Sequence, residues 1–158
     1  METILFNNNR ISPGIRFTKE FRGFLASIFT NERVELKRVS YIFCKDDYLL
    51  ALNQKYLNHD TLTDILTFNL SEFSAAIESD IYISIERVKE NALLLKTTYR
   101  KELFRVMIHG ILHLCGYNDT TVKQKAEMRK KENYYLSFLS FTWNVPRETN
   151  FTDRVLFR

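Results

Sequence analysis

The chain has 158 residues, 45% of them hydrophobic, and a formal net charge of +4. This length and apolar content predict one domain with a sizeable core and exclude wholesale disorder. No stretch of roughly 18 apolar residues is present, and the first residues do not resemble a secretory signal, so we expect a cytoplasmic protein without a membrane partner. The positive charge is compatible with an RNA partner but is too small to establish one.

The first half of the chain alternates strand and helix patterns. Runs rich in β-branched and aromatic residues predict strands, and apolar residues at helical spacing predict helices. In chain order we expect a strand over residues 3–7, a helix over 17–29, a strand over 39–44, a helix from 46 or 47 to 56, and a strand over 64–69. Asp46 or Asp47 can cap the second helix. The first helix should turn five apolar side chains inward: Phe17, Phe21, Phe24, Leu25 and Ile28.

The second half continues with longer helices. After a turn over residues 71–79 we expect a strand over 80–84 and then helices over 85–96, 101–115 and 122–139, the first of them capped by Ser84. The unequal alternation predicts an α+β fold, in which a small mixed β-sheet packs with helices around a central helix over 101–115. Residues 1–143 should form a single domain. The remaining tail, 144–158, carries apolar side chains that could dock on it: Phe151, Val155, Leu156 and Phe157.

Two of the three histidines, His109 and His113, lie four residues apart in the most apolar of these helices. Side chains at this spacing project from one face of a helix, so both imidazoles can reach one ion. Gly116 can adopt the left-handed conformation that ends a helix, and the returning chain can bring Asp119 to the same ion. Two imidazoles and a carboxylate would leave one position on zinc open for water, whose pKa then falls to about 7. The pattern therefore predicts a three-ligand metal site for metal-assisted hydrolysis.

The spacing of these residues also repeats the metzincin pattern H-E-x-x-H-x-x-G-x-x-H, with Asp in the last position. Gly110 occupies the position where a metalloprotease carries its Glu general base. Glycine cannot transfer a proton, so the pattern predicts zincin-like local geometry without the protease base. Imidazole and carboxylate ligands also suit iron, manganese or nickel, and the choice of metal stays open at this point.

Three segments of the chain resemble the bacterial YbeY-type endoribonucleases, also called rRNA maturation factors. Residues 109–119, HGILHLCGYND, resemble the family pattern H-G-x-L-H-L-x-G-Y-D-H, in which Gly follows the first His. Residues 52–68 resemble L-N-x-x-Y-R-x-x-D-x-P-T-D/N-V-L-S-F, and residues 79–84 resemble G-D-I-x-I-S/C. The segments occur in the family's order and spacing, and together they span most of the chain.

This resemblance implies a single-strand-selective, metal-dependent endoribonuclease. Such an enzyme would act in rRNA maturation, notably at the 3′ end of the small-subunit rRNA, and in ribosome quality control, with zinc as the usual metal. Its partners would be single-stranded rRNA and ribosomal particles, and DNA is not expected. His109, His113 and Asp119 would be the metal ligands.

Three residues depart from the family pattern. The third His of the family is Asp119, which still suits zinc but adds negative charge and should make the metal less electrophilic. The Arg that follows the family's Tyr is Leu57, which cannot contact phosphate, and the family's Pro before Thr is Leu62. His59 could supply a cation or a proton instead, although a solvated loop His is the simpler interpretation. Asp64 could contact substrate or orient a ligand imidazole, and the simpler interpretation is a turn or cap residue.

The sequence leaves several alternatives open. Attack on the phosphate could come from water or from the neighbouring 2′-OH of the RNA. The chain could instead be a zinc hydrolase of another class, such as a metallopeptidase, or a ribosome-associated RNA-binding module with a structural metal. Phe68 could stack on a base or lie in the core. Nine basic residues around the metal helix could contact phosphate or only solvate the surface: Lys96, Arg100, Lys101, Arg105, Lys123, Lys125, Arg129, Lys130 and Lys131.

Overall fold

The computed structural model describes residues 3–8, 10–58, 63–73 and 75–139. Within these residues the chain forms four strands and five helices. In chain order they are β1 Ile4–Asn7, α1 Lys19–Asn31, β2 Leu36–Cys44, α2 Asp46–Leu57, β3 Ile65–Asn69, β4 Ile77–Ser84, α3 Ile85–Leu94, α4 Tyr99–Leu114 and α5 Val122–Leu136. No helix in this part of the chain is both long and apolar enough to cross a membrane.

The strands form one sheet in the order β1-β2-β4-β3. β1, β2 and β4 pair in parallel, whereas β3 pairs with β4 in antiparallel orientation. The sheet is therefore mixed, and the α+β prediction is confirmed. β3 is an outer strand, so among the described residues its second edge is not paired with another strand.

The main core lies between the sheet and the helices α1, α4 and α5. Alternate side chains of β2 and β4, such as Tyr41 and Ile81, point to this face. α4 is buried along most of its length, as its nearly continuous apolar sequence predicts. The hydroxyl of Tyr41 donates to the backbone carbonyl of Met107 at 2.9 Å and joins the sheet to the helix. α4 is thus the central helix that the sequence predicts.

A smaller core lies on the opposite face of the sheet, under α2. Its buried centre is formed by Cys44, Leu49 and Leu66. Phe68 packs here edge-on against Tyr82, with ring centroids 5.7 Å apart. The core interpretation of Phe68 is therefore confirmed, since its side chain lies on the side of the sheet away from α4.

Two strands are longer than predicted. β2 and β4 each begin three residues early, at Leu36 and Ile77. The added residues pair with each other, and Glu78 binds Lys37 at 2.8 Å and Arg38 at 3.1 Å. Because these side chains are charged, the segments lack the apolar pattern that marks a strand, and the predicted turn before β4 is too long.

The first helix is shorter than predicted at its start. α1 begins at Lys19 because Thr18 caps it and accepts a hydrogen bond from the backbone N–H of Phe21 at 2.9 Å. Phe17 therefore lies outside the helix, which corrects its predicted place in α1. Its ring still packs inward and stacks on Phe6, with centroids 4.3 Å apart.

Of the two predicted helix caps, at the starts of α3 and α2, the first is confirmed and the second is wrong. Ser84 caps α3 as predicted and accepts from the backbone N–H of Arg87 at 3.2 Å. The predicted capping of α2 by Asp46 or Asp47 is wrong, since Lys45 is the N-cap and makes no side-chain capping bond. Asp46 is the first helical residue, and its carboxylate accepts from the Ser84 hydroxyl and, at 2.9 Å, from Arg87. That carboxylate ties the start of α2 to the start of α3.

The C-terminal part of the chain is only partly described. α5 ends at Leu136, three residues before its predicted end. The tail that we expected to dock lies outside the described residues, and so do its apolar side chains Phe151, Val155, Leu156 and Phe157. The single domain over residues 1–143 therefore stays a prediction.

Candidate metal centre

α4 carries both predicted imidazoles on one face. Nε2 of His109 and Nε2 of His113 lie 2.9 Å apart, and the two rings are close to perpendicular. The spacing of four residues places the rings one helical turn apart on the same side. The two Nε2 atoms therefore face the same point beside the helix.

A tight turn at the end of α4 reverses the chain. The backbone N–H of Tyr117 donates to the carbonyl of Leu112, and that of Gly116 donates to the carbonyl of His113, both at 3.0 Å. This pair of bonds is the Schellman arrangement, which needs a left-handed residue after the helix. Gly116 is that residue, with φ of +100°. The role that the sequence predicts for Gly116 is confirmed.

The turn returns Asp119 to the histidines. Its Oδ2 lies 3.4 Å from Nε2 of His109 and 3.5 Å from Nε2 of His113. In the described part of the chain, these three residues, here called the triad, are the group of potential ligands close enough together to hold one ion. Ligand atoms about 2.0–2.1 Å from a tetrahedral zinc lie about 3.4 Å apart, so the triangle has a suitable size.

One hydrogen bond sets which nitrogen of His113 carries the proton. Nδ1 lies 2.9 Å from the backbone carbonyl of Tyr117. A carbonyl can only accept, so Nδ1 donates and Nε2 of the neutral ring is left with its lone pair. The turn that brings Asp119 back therefore also directs the lone pair of Nε2 of His113 towards the other members of the triad.

His109 is oriented by a buried carboxylate on α5. Its Nδ1 is buried and makes no well-aligned hydrogen bond within the described residues, but it faces Oε1 of Glu132 at 3.4 Å. The side chain of Glu132 is only 3% exposed. A carboxylate in this place favours a proton on Nδ1 and leaves the lone pair on Nε2, as in metal-binding histidines.

Arg105 compensates the charge of Glu132. Its guanidinium donates to both carboxylate oxygens, at 3.0 and 3.1 Å, and also contacts Glu102. Burial acts to raise the pKa of Glu132, but the nearby His109 and Arg105 outweigh it, and the pKa lies below its ordinary value. The carboxylate therefore stays ionised in the core, which requires partners of this kind.

The donor set of the triad fits a divalent cation. With both Nδ1 atoms protonated, two Nε2 lone pairs and a carboxylate oxygen face one another. Such groups repel unless a cation lies among them, and two imidazoles with one carboxylate are a common zinc ligand set. The arrangement can therefore hold a metal ion while leaving part of its coordination sphere open.

A cavity of about 470 Å³ opens beside the triad on the side of β3. Asp64 lines it together with the triad, and accepts a hydrogen bond from the side-chain amide of Asn91 at 3.2 Å. Burial raises the pKa of Asp64, although the guanidinium of Arg105 and the nearby His109 oppose this effect. The structure thus brings Asp64 to the same cavity as the predicted ligands.

Other positions singled out in the sequence lie elsewhere. Leu57 is the last residue of α2, is 45% exposed, and does not line this cavity. His59 and Leu62 lie outside the described residues, so the suggested role of His59 stays a prediction. Gly110 packs against the sheet, and a Cβ there would lie 2.8 Å from Cδ1 of Ile65. A side chain at this position would therefore force the end of the Ile65 side chain to shift.

Our sequence reasoning missed two partners of the site, Glu132 and Arg105. Glu132 lies four residues after Met128 and three before Tyr135, and all three are buried. A carboxylate within the apolar stripe of a helix is the signal that identifies such a residue. Arg105 lies four residues before His109 and so shares its face of α4.

Known proteins resemble this chain in both sequence and fold. Residues 5–140 match the family described as Endoribonuclease YbeY. An Endoribonuclease YbeY from Cytophaga hutchinsonii is 46% identical over 140 residues, which is 89% of this chain and 98% of the relative. One from Flavobacterium psychrophilum is 44% identical over 137 residues, covering 87% and 97%. The solution structure of TM1509 from Thermotoga maritima is 34% identical, with a TM-score of 0.59 and coverage of 87% of each chain.

The matched region contains the five helices, three complete strands and the whole triad. Identities above 40% over nearly the full length of the relatives leave no large part of their fold unmatched. The relatives are named as endoribonucleases, which are hydrolases that act on RNA. The chain belongs to the Endoribonuclease YbeY family.

Proposed function

We propose that this protein is a zinc-dependent endoribonuclease that cleaves single-stranded rRNA. It would act at the 3′ end of the small-subunit rRNA and in ribosome quality control, in the cytoplasm and on ribosomal particles. The observation that carries the proposal is the triad, whose ligand atoms lie 2.9 to 3.5 Å apart. Three protein ligands are typical of a catalytic zinc site, whereas structural sites usually have four. Family membership supports the reaction class and RNA as the substrate class.

In this mechanism His109, His113 and Asp119 would hold the ion. Zinc, when bound, supplies Lewis acidity towards a phosphoryl oxygen and lowers the pKa of water. Tyr117 holds the ring of His113 through its backbone carbonyl, and Glu132 orients His109. Both Nε2 atoms thus stay directed at one point, and little rearrangement is needed when the site is loaded.

Asp64 lines the cavity beside the triad and would be the group that moves a proton there. Its raised pKa, caused by burial, brings the carboxyl closer to the range in which it can both take and return a proton. The amide of Asn91 holds the carboxylate in place. Ionised Asp64 would take the proton of the attacking hydroxyl at a carboxylate oxygen, and the protonated group would return it to the leaving oxygen.

The test is cleavage of a single-stranded fragment that carries the 3′ end of small-subunit rRNA. Zinc-reconstituted wild type should cleave this fragment but not a duplex of the same sequence. His113→Ala, purified and reconstituted identically, should neither retain zinc nor cleave, because it lacks one ligand. Cleavage by His113→Ala at the wild-type rate would contradict the proposal.

The ends of the products separate the two routes of attack. Attack by water can leave a 3′-OH, whereas attack by the neighbouring 2′-OH leaves a cyclic phosphate. Mass spectrometry of the products distinguishes these ends. A fragment with a 2′-O-methyl group at the cleaved nucleotide gives an independent check, since it blocks the second route alone.

Two rival functions predict different results. An RNA-binding module is favoured by Leu57, which stands where the family has Arg. If the protein is such a module, wild type and His113→Ala would bind ribosomal particles equally well, and neither of them would cleave RNA. A zinc peptidase would show metal-dependent turnover of a peptide library. Gly110 argues against this function, because glycine cannot supply the general base of a metalloprotease.

A further inference from the structure

The triad lies between two cavities. A second cavity, of about 270 Å³, opens on the α5 side, and both cavities are lined by His109 and Asp119. The β3-side cavity presents hydroxyl side chains such as Thr67, whereas Lys125 and Arg129 line the α5-side cavity. A strand that crosses the triad would therefore meet these two cations on its α5 side.

Lys125 and Arg129 share one face of α5 because they lie four residues apart. Both residues are exposed. Nη1 of Arg129 lies 4.0 Å from Oε2 of Glu132, which is longer than a hydrogen bond. The guanidinium is thus close to the site and is not tightly held by that carboxylate.

The third cation of this cavity, Arg105, has a different role. Its side chain is 14% exposed, and it binds the carboxylates of Glu102 and Glu132. A guanidinium held by two buried carboxylates is already compensated. Arg105 therefore stabilises the site from within, whereas the exposed pair can meet a ligand.

The other basic residues of α5 point away from the triad. Nζ of Lys131 donates to Oε1 of Glu32 at 3.0 Å. Lys130 lines a separate cavity together with Tyr134, and Lys123, seven residues before Lys130, shares its face of the helix. The basic run of α5 thus divides into a pair beside the triad and residues that face elsewhere.

We propose that Lys125 and Arg129 bind the phosphate next to the cleaved one and so hold the RNA strand across the triad. This assignment rests on the proposed endoribonuclease function. Its ligand is the phosphodiester backbone of single-stranded RNA, which Lys meets as a point charge and Arg with parallel donors. Because the pair contacts the backbone, it adds affinity without sequence preference.

The test compares two double variants of the full-length, zinc-reconstituted protein. Lys125→Gln with Arg129→Gln removes the pair beside the triad. Lys123→Gln with Lys130→Gln is the matched control, since it removes the same charge from exposed positions of the same helix. Initial rates on the single-stranded rRNA fragment give kcat and KM, measured from about 50 to 200 mM KCl.

A phosphate contact on single-stranded RNA lowers the slope of log affinity against log salt by about 0.7, which is about fivefold in affinity at 0.1 M salt. The variant of Lys125 and Arg129 loses the contact to one phosphate, so we expect its KM to rise about fivefold and the salt slope of its kcat/KM to shrink by about 0.7. The control should keep the wild-type values. Melting temperatures of both variants equal to that of wild type would show that neither has lost its fold.

An equal rise of KM in both variants would overturn the proposal, since it would reflect a general attraction between the basic helix α5 and RNA. Failure of the proposed function looks different, because wild type itself would not cleave. In that case, fluorescence anisotropy with a labelled copy of the fragment gives the answer from binding alone. Weaker binding only by the variant of Lys125 and Arg129 would support the phosphate contact, and equal binding by both variants would reject it.

Discussion

His113 donates a hydrogen bond from Nδ1 to the backbone carbonyl of Tyr117 at 2.9 Å. Tyr117 is held at its other end as well, because its hydroxyl donates to Glu32 at 2.8 Å. The loop that contains Gly116 and returns Asp119 to the site therefore also sets the tautomer of His113. The end of α4 and the candidate metal centre form one structural feature, and a change in the turn should affect both.

Gly116→Ala should destabilise the protein, because φ of +100° is unfavourable for a residue with a Cβ. A Cβ there would meet no atom within 4 Å, so the cost is conformational rather than steric. We expect the free energy of unfolding to fall by about 1 kcal/mol. Urea denaturation of the metal-free proteins measures this change, and zinc affinity should weaken with it.

Gly23→Ala is the matched control for that substitution. Gly23 lies inside α1, and a Cβ there would also meet no atom within 4 Å. Its backbone is helical, so Ala should raise the free energy of unfolding by about 0.5–1 kcal/mol. If the free energy of unfolding changed in the same direction in both variants, the backbone conformation of Gly116 would not be the cause of its effect.

Asp119→His should retain zinc and cleavage, because imidazole and carboxylate are both zinc ligands. A neutral imidazole gives the metal less negative charge, so we expect cleavage at least as fast as in wild type. Asp119→Ala removes a ligand and should lose both zinc and cleavage. The zinc content and the initial cleavage rates of the two variants test this prediction. Full activity of Asp119→Ala would show that Asp119 is not a metal ligand.

Glu132→Gln should weaken zinc binding about 10- to 100-fold, since residues that orient metal-bound histidines have effects of this size. The substitution also removes a negative charge that compensates Arg105, and the free energy of unfolding should fall by roughly 1–3 kcal/mol. Competition with a chromophoric chelator gives the affinity. Glu127→Gln, at an exposed position of α5, is the control. Unchanged zinc affinity in Glu132→Gln would refute the orienting role.

Asp64→Asn should slow cleavage by about 10²- to 10⁴-fold, because Asn keeps the shape of Asp but cannot carry the proton. Zinc content should not change, since Asp64 is not one of the three grouped ligands. Asp47→Asn, an exposed carboxylate on α2, controls for the loss of one negative charge. If zinc content falls in step with the rate, Asp64 acts through the metal and not as a proton carrier.

Several features of the site were predictable from short stretches of sequence. The apolar pattern predicted α4, the spacing of His109 and His113 predicted their common face, and Gly116 predicted the turn. The starts of β2 and β4 were not predictable in this way. Their charged side chains are stabilised by pairing across strands about 40 residues apart in sequence, which no local pattern records.

The sequence by itself determined the fold class, through the order of helix and strand patterns along the chain. It also determined the helix that carries the imidazoles and the return of Asp119, because each of these depends on residues within a few positions of one another. Only the tertiary structure decided which distant groups complete the site. Glu132 meets His109, and Lys125 and Arg129 line the cavity beside the triad, because α5 packs with Met128 and Tyr135 in the core. A shift of one residue would turn that helix by about 100° and aim other side chains at the triad. The packing of α5 on α4 therefore sets the surroundings of the candidate metal centre.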